Sequence, residues 1–172
     1  MRALFLDRDG IVNKVVMRNG SPSSPRSLAE LQLIPETIKL VREARQLQFA
    51  IVLITNQPDV ARNQITRHEL KKIHEAIATK IPFDLMEVCT SANNAYFRRK
   101  PNPGMLLQSA KKLNISLPDS FFLGDSLKDV QAGKNAKVPT ILLQTDYNLF
   151  IHGMGDFNCK NFEEILKIIK RA

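Results

Sequence analysis

The fold class predicted for this chain is α/β, a doubly wound, Rossmann-like domain on a parallel sheet. Three observations predict it. Short apolar runs with β-branched residues recur along the chain, segments of helical period alternate with them, and polar or glycine-containing clusters close several of the runs.

The apolar runs, at residues 3–6, 49–54, 85–89, 120–123 and 140–143, are the expected strands. They carry little polar alternation, as strands covered on both faces should. Between residues 6 and 140 lie four expected helices. Pro35-Glu36 opens the first, with Ile38, Val41, Ala44 and Leu47 on one face. Thr66-Arg67-His68-Glu69 matches a capping box ahead of the stripe Leu70, Ile73 and Ile77. Asn102-Pro103 has the form of a cap with proline at the first helical position, ahead of Leu106, Ala110 and Leu113. The fourth runs over residues 127–136, and a terminal helix follows Asn161, with Glu164 three residues on. Residues 13–33 break the alternation. They contain Asn19-Gly20-Ser21-Pro22-Ser23-Ser24-Pro25 and read as a loop or small flap.

Composition narrows the class. A length of 172 residues suits one domain, 1–172, and 44% hydrophobic with 24% charged residues is ordinary globular composition. No apolar stretch is long enough to span a membrane. Arg2 and a short apolar run make no signal peptide, and two cysteines make no disulfide framework, so a reducing, cytoplasmic setting is expected. The net charge of +8 is spread along the chain without a long basic run, and aromatics are sparse at 6%. That favours a small anionic ligand over nucleic acid. A monomer is expected.

The chemistry sits at the strand ends. In an open parallel sheet, ligands bind beyond the carboxyl ends of the strands. The first strand ends in Asp7-Arg8-Asp9-Gly10, the second in Thr55-Asn56-Gln57 and the fourth in Gly124-Asp125-Ser126, while Arg98-Arg99-Lys100-Pro101 follows the third. A calcium loop counted from Asp7 fails, because Ile11, Val12 and Arg18 stand where an oxygen ligand, Gly and Glu are needed. Crowded carboxylates call for a cation, and oxygen ligands suit Mg²⁺. One carboxylate can attack phosphorus, and the one two positions on can handle the proton. Thr55 and Lys100 are candidates to hold phosphate oxygens.

The four strings Asp7-Arg8-Asp9-Gly10, Thr55-Asn56-Gln57, Arg99-Lys100-Pro101 and Gly124-Asp125-Ser126-Leu127-Lys128-Asp129 resemble, in order, the motifs of the haloacid dehalogenase superfamily of phosphatases. Their flanks, including Ile11-Val12-Asn13, Ala61-Arg62 and Asn102-Pro103-Gly104-Met105-Leu106, are similar to the D,D-heptose 1,7-bisphosphate phosphatase and histidinol-phosphatase branch. The resemblance implies a Mg²⁺-dependent phosphomonoesterase without a large cap domain. Asp7 is then the nucleophile and Asp9 the general acid/base, with Thr55 and Lys100 on the phosphoryl group. Asp7, the Asp9 backbone carbonyl and Asp125 are the metal ligands. Asn56, Arg62 and Arg99 are substrate contacts, and Asp129 orients Lys100 or a metal-bound water. The substrate expected is a small sugar phosphate, a heptose bisphosphate or a relative. Histidinol phosphate and a nucleic-acid 3′-end are the alternatives. Many relatives carry a zinc loop, Cys-x-His and a later Cys-x-Cys before Arg-Lys-Pro. Here Cys89-Thr90-Ser91 and Tyr96-Phe97-Arg98 stand there, so no structural zinc is expected. His68, His74 and His152 are given no role.

Overall fold

The computed structural model describes residues 1–171. Along the chain, β1 (Arg2–Leu6) leads into a hairpin of β2 (Val16–Arg18) and β3 (Ser21–Ser23). Then come α1 (Pro35–Gln46), β4 (Phe49–Asn56), α2 (Arg67–Ala78), β5 (Leu85–Cys89) and α3 (Gly104–Leu113). The remainder is β6 (Phe121–Gly124), α4 (Leu127–Ala136), β7 (Thr140–Leu143), β8 (Phe157–Cys159) and α5 (Phe162–Ile169). Six strands form one sheet in the order β5-β4-β1-β6-β7-β8, and each neighbouring pair is parallel.

Alternation along the strands builds a core on each face of the sheet. Leu4, Leu6, Ile51 and Leu53 face α1, α2 and α5, where Leu40, Ile73 and Ile165 meet them. Ala3, Phe5, Val52 and Ile54 face the other way, onto Met105 and Leu106 of α3 and Ala132 of α4. The chain runs outward from β1 through β4 to β5, then returns to place β6 on the other side of β1. The carboxyl ends of β1 and β6 therefore flank a crevice at the switch in strand order, where such sheets bind ligands.

Most expected elements appear, with informative shifts. β4 continues through Thr55 to Asn56, because Asn56 still pairs with Cys89 of β5. α3 starts at Gly104 and has no side-chain cap, since the Asn102 amide turns away to donate to the Asn94 and Tyr96 carbonyls. α4 spans the residues expected of it, and Thr66 and Asn161 each accept from the amide three residues on. β8 went unforeseen, because three residues of mixed polarity carry no period. The 13–33 segment holds the β2–β3 hairpin, turned at Asn19 and Gly20 with φ of 51° and 75°. Both residue types tolerate that left-handed backbone. Among the described residues, no helix is long and apolar enough to cross a membrane.

Candidate active site

The site starts at the turn after β1. The Arg8 carbonyl accepts amides from Val12 at 2.7 Å and Asn13 at 3.0 Å, which closes the chain tightly behind Asp7. Gly10 sits at φ +87°, and a Cβ there would collide with the Asp125 carboxylate and the Tyr147 hydroxyl. Glycine is thus required twice, for its backbone angle and for the approach of β6.

Lys100 is the hub. Its Nζ donates to Asp7 Oδ1 at 2.6 Å, to Asp129 Oδ1 at 2.6 Å and to the Ile54 carbonyl at 3.1 Å. Its backbone is held by Asn56, whose amide donates to the Lys100 carbonyl at 3.0 Å and accepts the Lys100 N–H at 3.1 Å. Burial works against the ammonium charge, yet Asp129 and Asp7 outweigh burial and hold Lys100 protonated above the usual lysine range. Asp129 is fixed in turn by the Ser126 amide and hydroxyl, at 3.0 and 2.6 Å.

Asp9 lies in a different setting. Its carboxylate accepts from Arg8 Nε and Nη2 at 3.1 and 2.9 Å, Asn13 at 3.0 Å, Ser24 at 2.7 Å and Gln57 at 2.9 Å. Burial alone would raise its pKa, but Arg8 and the hydrogen bonds hold it below the usual carboxylate range. Gln57 also donates to Thr55 Oγ1 at 3.0 Å, so it ties Thr55 to Asp9. Arg8 is fully buried, and its Nη1 meets His74 Nε2 at 3.1 Å.

Carboxylate oxygens of Asp7, Asp125 and Asp129 lie within 4.8 Å of one another. Lys100 compensates part of this charge, while Asp125 Oδ2 accepts only a neutral donor, the Tyr147 hydroxyl. Burial, then repulsion from Asp129, pushes Asp125 up to about 7, and the same two causes raise Asp7 well above its ordinary value. A cluster of hard oxygen donors that is only partly compensated fits Mg²⁺. Asp129 is already engaged by Lys100 and Ser126 through both of its oxygens, so Asp7 and Asp125 are the side chains with capacity to hold the ion.

A family model described as haloacid dehalogenase-like hydrolase matches residues 4–137. The chain belongs to that family. It is 33% identical to the D-glycero-beta-D-manno-heptose-1,7-bisphosphate 7-phosphatase of Helicobacter pylori, over 98% of both chains. The protein of that name from Yersinia pestis is 31% identical, over 98% of this chain and 95% of its own. A crystal structure of D,D-heptose 1,7-bisphosphate phosphatase from B. bronchiseptica, complexed with magnesium and phosphate, superposes with a TM-score of 0.84 at 27% identity, covering 100% of both chains.

Within this haloacid dehalogenase-like fold, the residues singled out by sequence separate into groups. Asp7, Asp9 and Asp125 line a cavity of about 610 Å³ whose rim includes Arg18 and Arg62. Thr55 and Lys100 reach it through Gln57 and Asp7. Two of the expected substrate contacts have side chains engaged within the protein. The Asn56 side chain is occupied by the Lys100 backbone. Arg99 is 3% exposed, with Nη1 on the Ser91 carbonyl at 2.8 Å and Nε on Asn94 at 3.1 Å. Both side chains satisfy backbone or loop groups of the protein, and neither lines the cavity. Sequence reasoning missed the group around Asp9 and the part played by Tyr147. His74, given no role, sits behind Arg8. Burial and then the charge of Arg8 lower its pKa to about 4, so it is neutral at physiological pH. Lys128 stands inside the last motif string but outside the cavity lining. Partial burial, then the charges of Arg99 and Lys100, lower its pKa, and Arg62 contributes to the same field.

Proposed function

We propose that this hydrolase is a Mg²⁺-dependent phosphomonoesterase acting on a small sugar bisphosphate, a D-glycero-D-manno-heptose 1,7-bisphosphate in the first instance. The observation that carries the reading is Lys100, which bridges Asp7 and Asp129 at 2.6 Å each while Asp125 stands beside them with no Lys or Arg ion pair among the described residues. Relatives at 31–33% identity over nearly the whole chain bear that substrate in their names.

Asp7 and Asp125 would hold Mg²⁺, with the Asp9 carbonyl as third protein ligand. The ion supplies charge neutralisation that lets a phosphate dianion lie against carboxylates. An Asp7 oxygen attacks phosphorus, the ester P–O bond breaks, and an acyl phosphate forms on Asp7. The leaving oxygen takes a proton from Asp9. Asp9 is held ionised in this arrangement, and an incoming phosphate, by adding negative charge, raises its proton affinity so that Asp9 takes up a proton from solvent before the ester bond breaks. Water then attacks the acyl phosphate while Asp9 takes its proton back, and inorganic phosphate leaves. Lys100 and Thr55 bind the equatorial oxygens as charge builds on them.

A second phosphate has a candidate seat near Arg62, with the charges of Arg99 and Lys128 adding to the field from side chains outside the cavity lining. Arg62 is the one aimed at the cavity, with an exposed guanidinium only 3.6 Å from Asp59. Residues 1–172 work as one domain, with the 13–33 flap over the site. The loop at 90–98 needs no zinc. Arg98 donates to Glu87 at 2.5 Å, and Arg99 and Asn102 hold carbonyls of the loop from inside.

The test is phosphate release from sugar bisphosphates, sugar monophosphates, histidinol phosphate and 3′-phosphorylated oligonucleotides, with Mg²⁺ and with excess chelator. Asp7→Asn keeps the size of the side chain and removes the nucleophile. It should abolish turnover on every substrate at an unchanged melting temperature. Full activity in that variant, or in chelator, overturns the mechanism. An oligonucleotide outperforming every sugar overturns the substrate class.

A further inference from the structure

Tyr147 comes from the segment after β7, which carries no motif. Its hydroxyl donates to Asp125 Oδ2, and the next residue completes the clasp. The buried Asn148 amide donates to the Asp125 backbone carbonyl at 2.7 Å and to the Leu143 carbonyl at 2.9 Å. Asn148 Oδ1 accepts the Thr145 N–H at 2.8 Å and lies 2.9 Å from His152 Nε2, so the turn that presents Tyr147 is itself tied down. On the opposite side, the phenol oxygen and the Asp125 carboxylate occupy the space that a Cβ on Gly10 would take. Asp125 is thus gripped at its backbone, at one carboxylate oxygen and against the β1 turn.

The chemistry of the grip matters. Lys100 neutralises the carboxylates it touches. A phenol orients a carboxylate and leaves its negative charge in place. With Oδ2 taken by Tyr147, Oδ1 is the oxygen available to a cation. We propose that Tyr147 is a positioning residue for the divalent-cation site, presenting Asp125 Oδ1 to Mg²⁺ and raising the affinity of the site for the ion. The inference rests on the reading that Asp7 and Asp125 hold Mg²⁺. Partners of metal-ligating groups typically account for 10–100-fold in affinity, because they fix the ligand before the ion arrives.

The test is calorimetric titration of the metal-free protein with MgCl₂ and no substrate, for the unmodified chain, Tyr147→Phe and Asp125→Asn. Thermal midpoints are recorded in chelator alongside. Tyr147→Phe keeps the ring and should raise the Mg²⁺ dissociation constant about tenfold or more, at a metal-free midpoint close to that of the unmodified chain. A dissociation constant within twofold of the unmodified value, or a tighter one, overturns the proposal. A lowered midpoint with unchanged affinity does so too, since it marks a purely structural contact. If the unmodified chain binds no Mg²⁺, or Asp125→Asn binds it equally well, the metal reading itself fails and the inference falls with it.

Discussion

At the residue scale, the two carboxylates of the β1 turn are made different by their neighbours. Asp7 shares Lys100 with Asp129, while Asp9 collects donors from Arg8, Asn13, Ser24 and Gln57. Arg8 is buried behind them, and His74 takes up its remaining edge. That contact requires a neutral imidazole. The folded pKa of His74 is about 4, against an unfolded value near 6.5. Between those values the unfolded chain binds more protons, so the His74 contribution is present above pH about 6.5 and is lost as pH falls through about 4. His74→Gln keeps an acceptor for Arg8 and cannot titrate. Urea midpoints at pH 7 and pH 5 should show a smaller acid loss in the variant than in the unmodified chain. Parallel losses would remove His74 as the source.

At the scale of elements, the loop between β5 and α3 decides where Lys100 stands. Arg98 closes onto the buried Glu87, which also takes Lys112 at 2.5 Å, and Arg99 fills the interior of the loop. Removing a buried donor leaves its acceptors, here the Ser91 carbonyl and Asn94, unsatisfied, at about 1–3 kcal/mol. Arg99→Met should therefore speed amide exchange across residues 90–98 and lower kcat through the adjoining Lys100. Elemental analysis of the unmodified protein should find zinc well below one per chain. Unchanged exchange would mean that the loop is held elsewhere, and stoichiometric zinc would mean that a metal holds it. The helix starts show how far local sequence reaches. Ser126 and Asp129 set the start of α4 and also brace Lys100, so one short string serves both tasks.

At the scale of the molecule, the sheet places its two cores so that β1 and β6 are clamped from both faces. α5 belongs to this clamp although it carries no motif. Ile165 and Ile169 are fully buried against the layer that also holds α1. Ile165→Ala should cost about 2–5 kcal/mol of stability, from lost burial and the cavity left behind. Phosphate release per folded molecule should stay within about twofold, because the site lies at the carboxyl ends of the strands. A loss under about 1 kcal/mol in urea denaturation would show that α5 is not part of the core.

Five of the strands, α4 and the placing of Asp7, Thr55, Lys100 and Asp125 at one sheet edge were legible in the sequence, while β2, β3 and β8 were not. Apolar runs, helical periods and strand-end polar groups are local patterns, and a parallel sheet gathers its strand ends by construction. The choice of partners was decided in three dimensions. Asn56 and Arg99 read as groups free for substrate, yet one holds the Lys100 backbone and the other the 90–98 loop. Tyr147 meets Asp125 across 22 residues, Ser24 meets Asp9 across 15, and His74 meets Arg8 across 66. Lys100 meets Asp7 across 93 residues. No periodicity encodes such pairs. Buried polar atoms must each find a partner, and which partner lies within reach is settled only when the layers close.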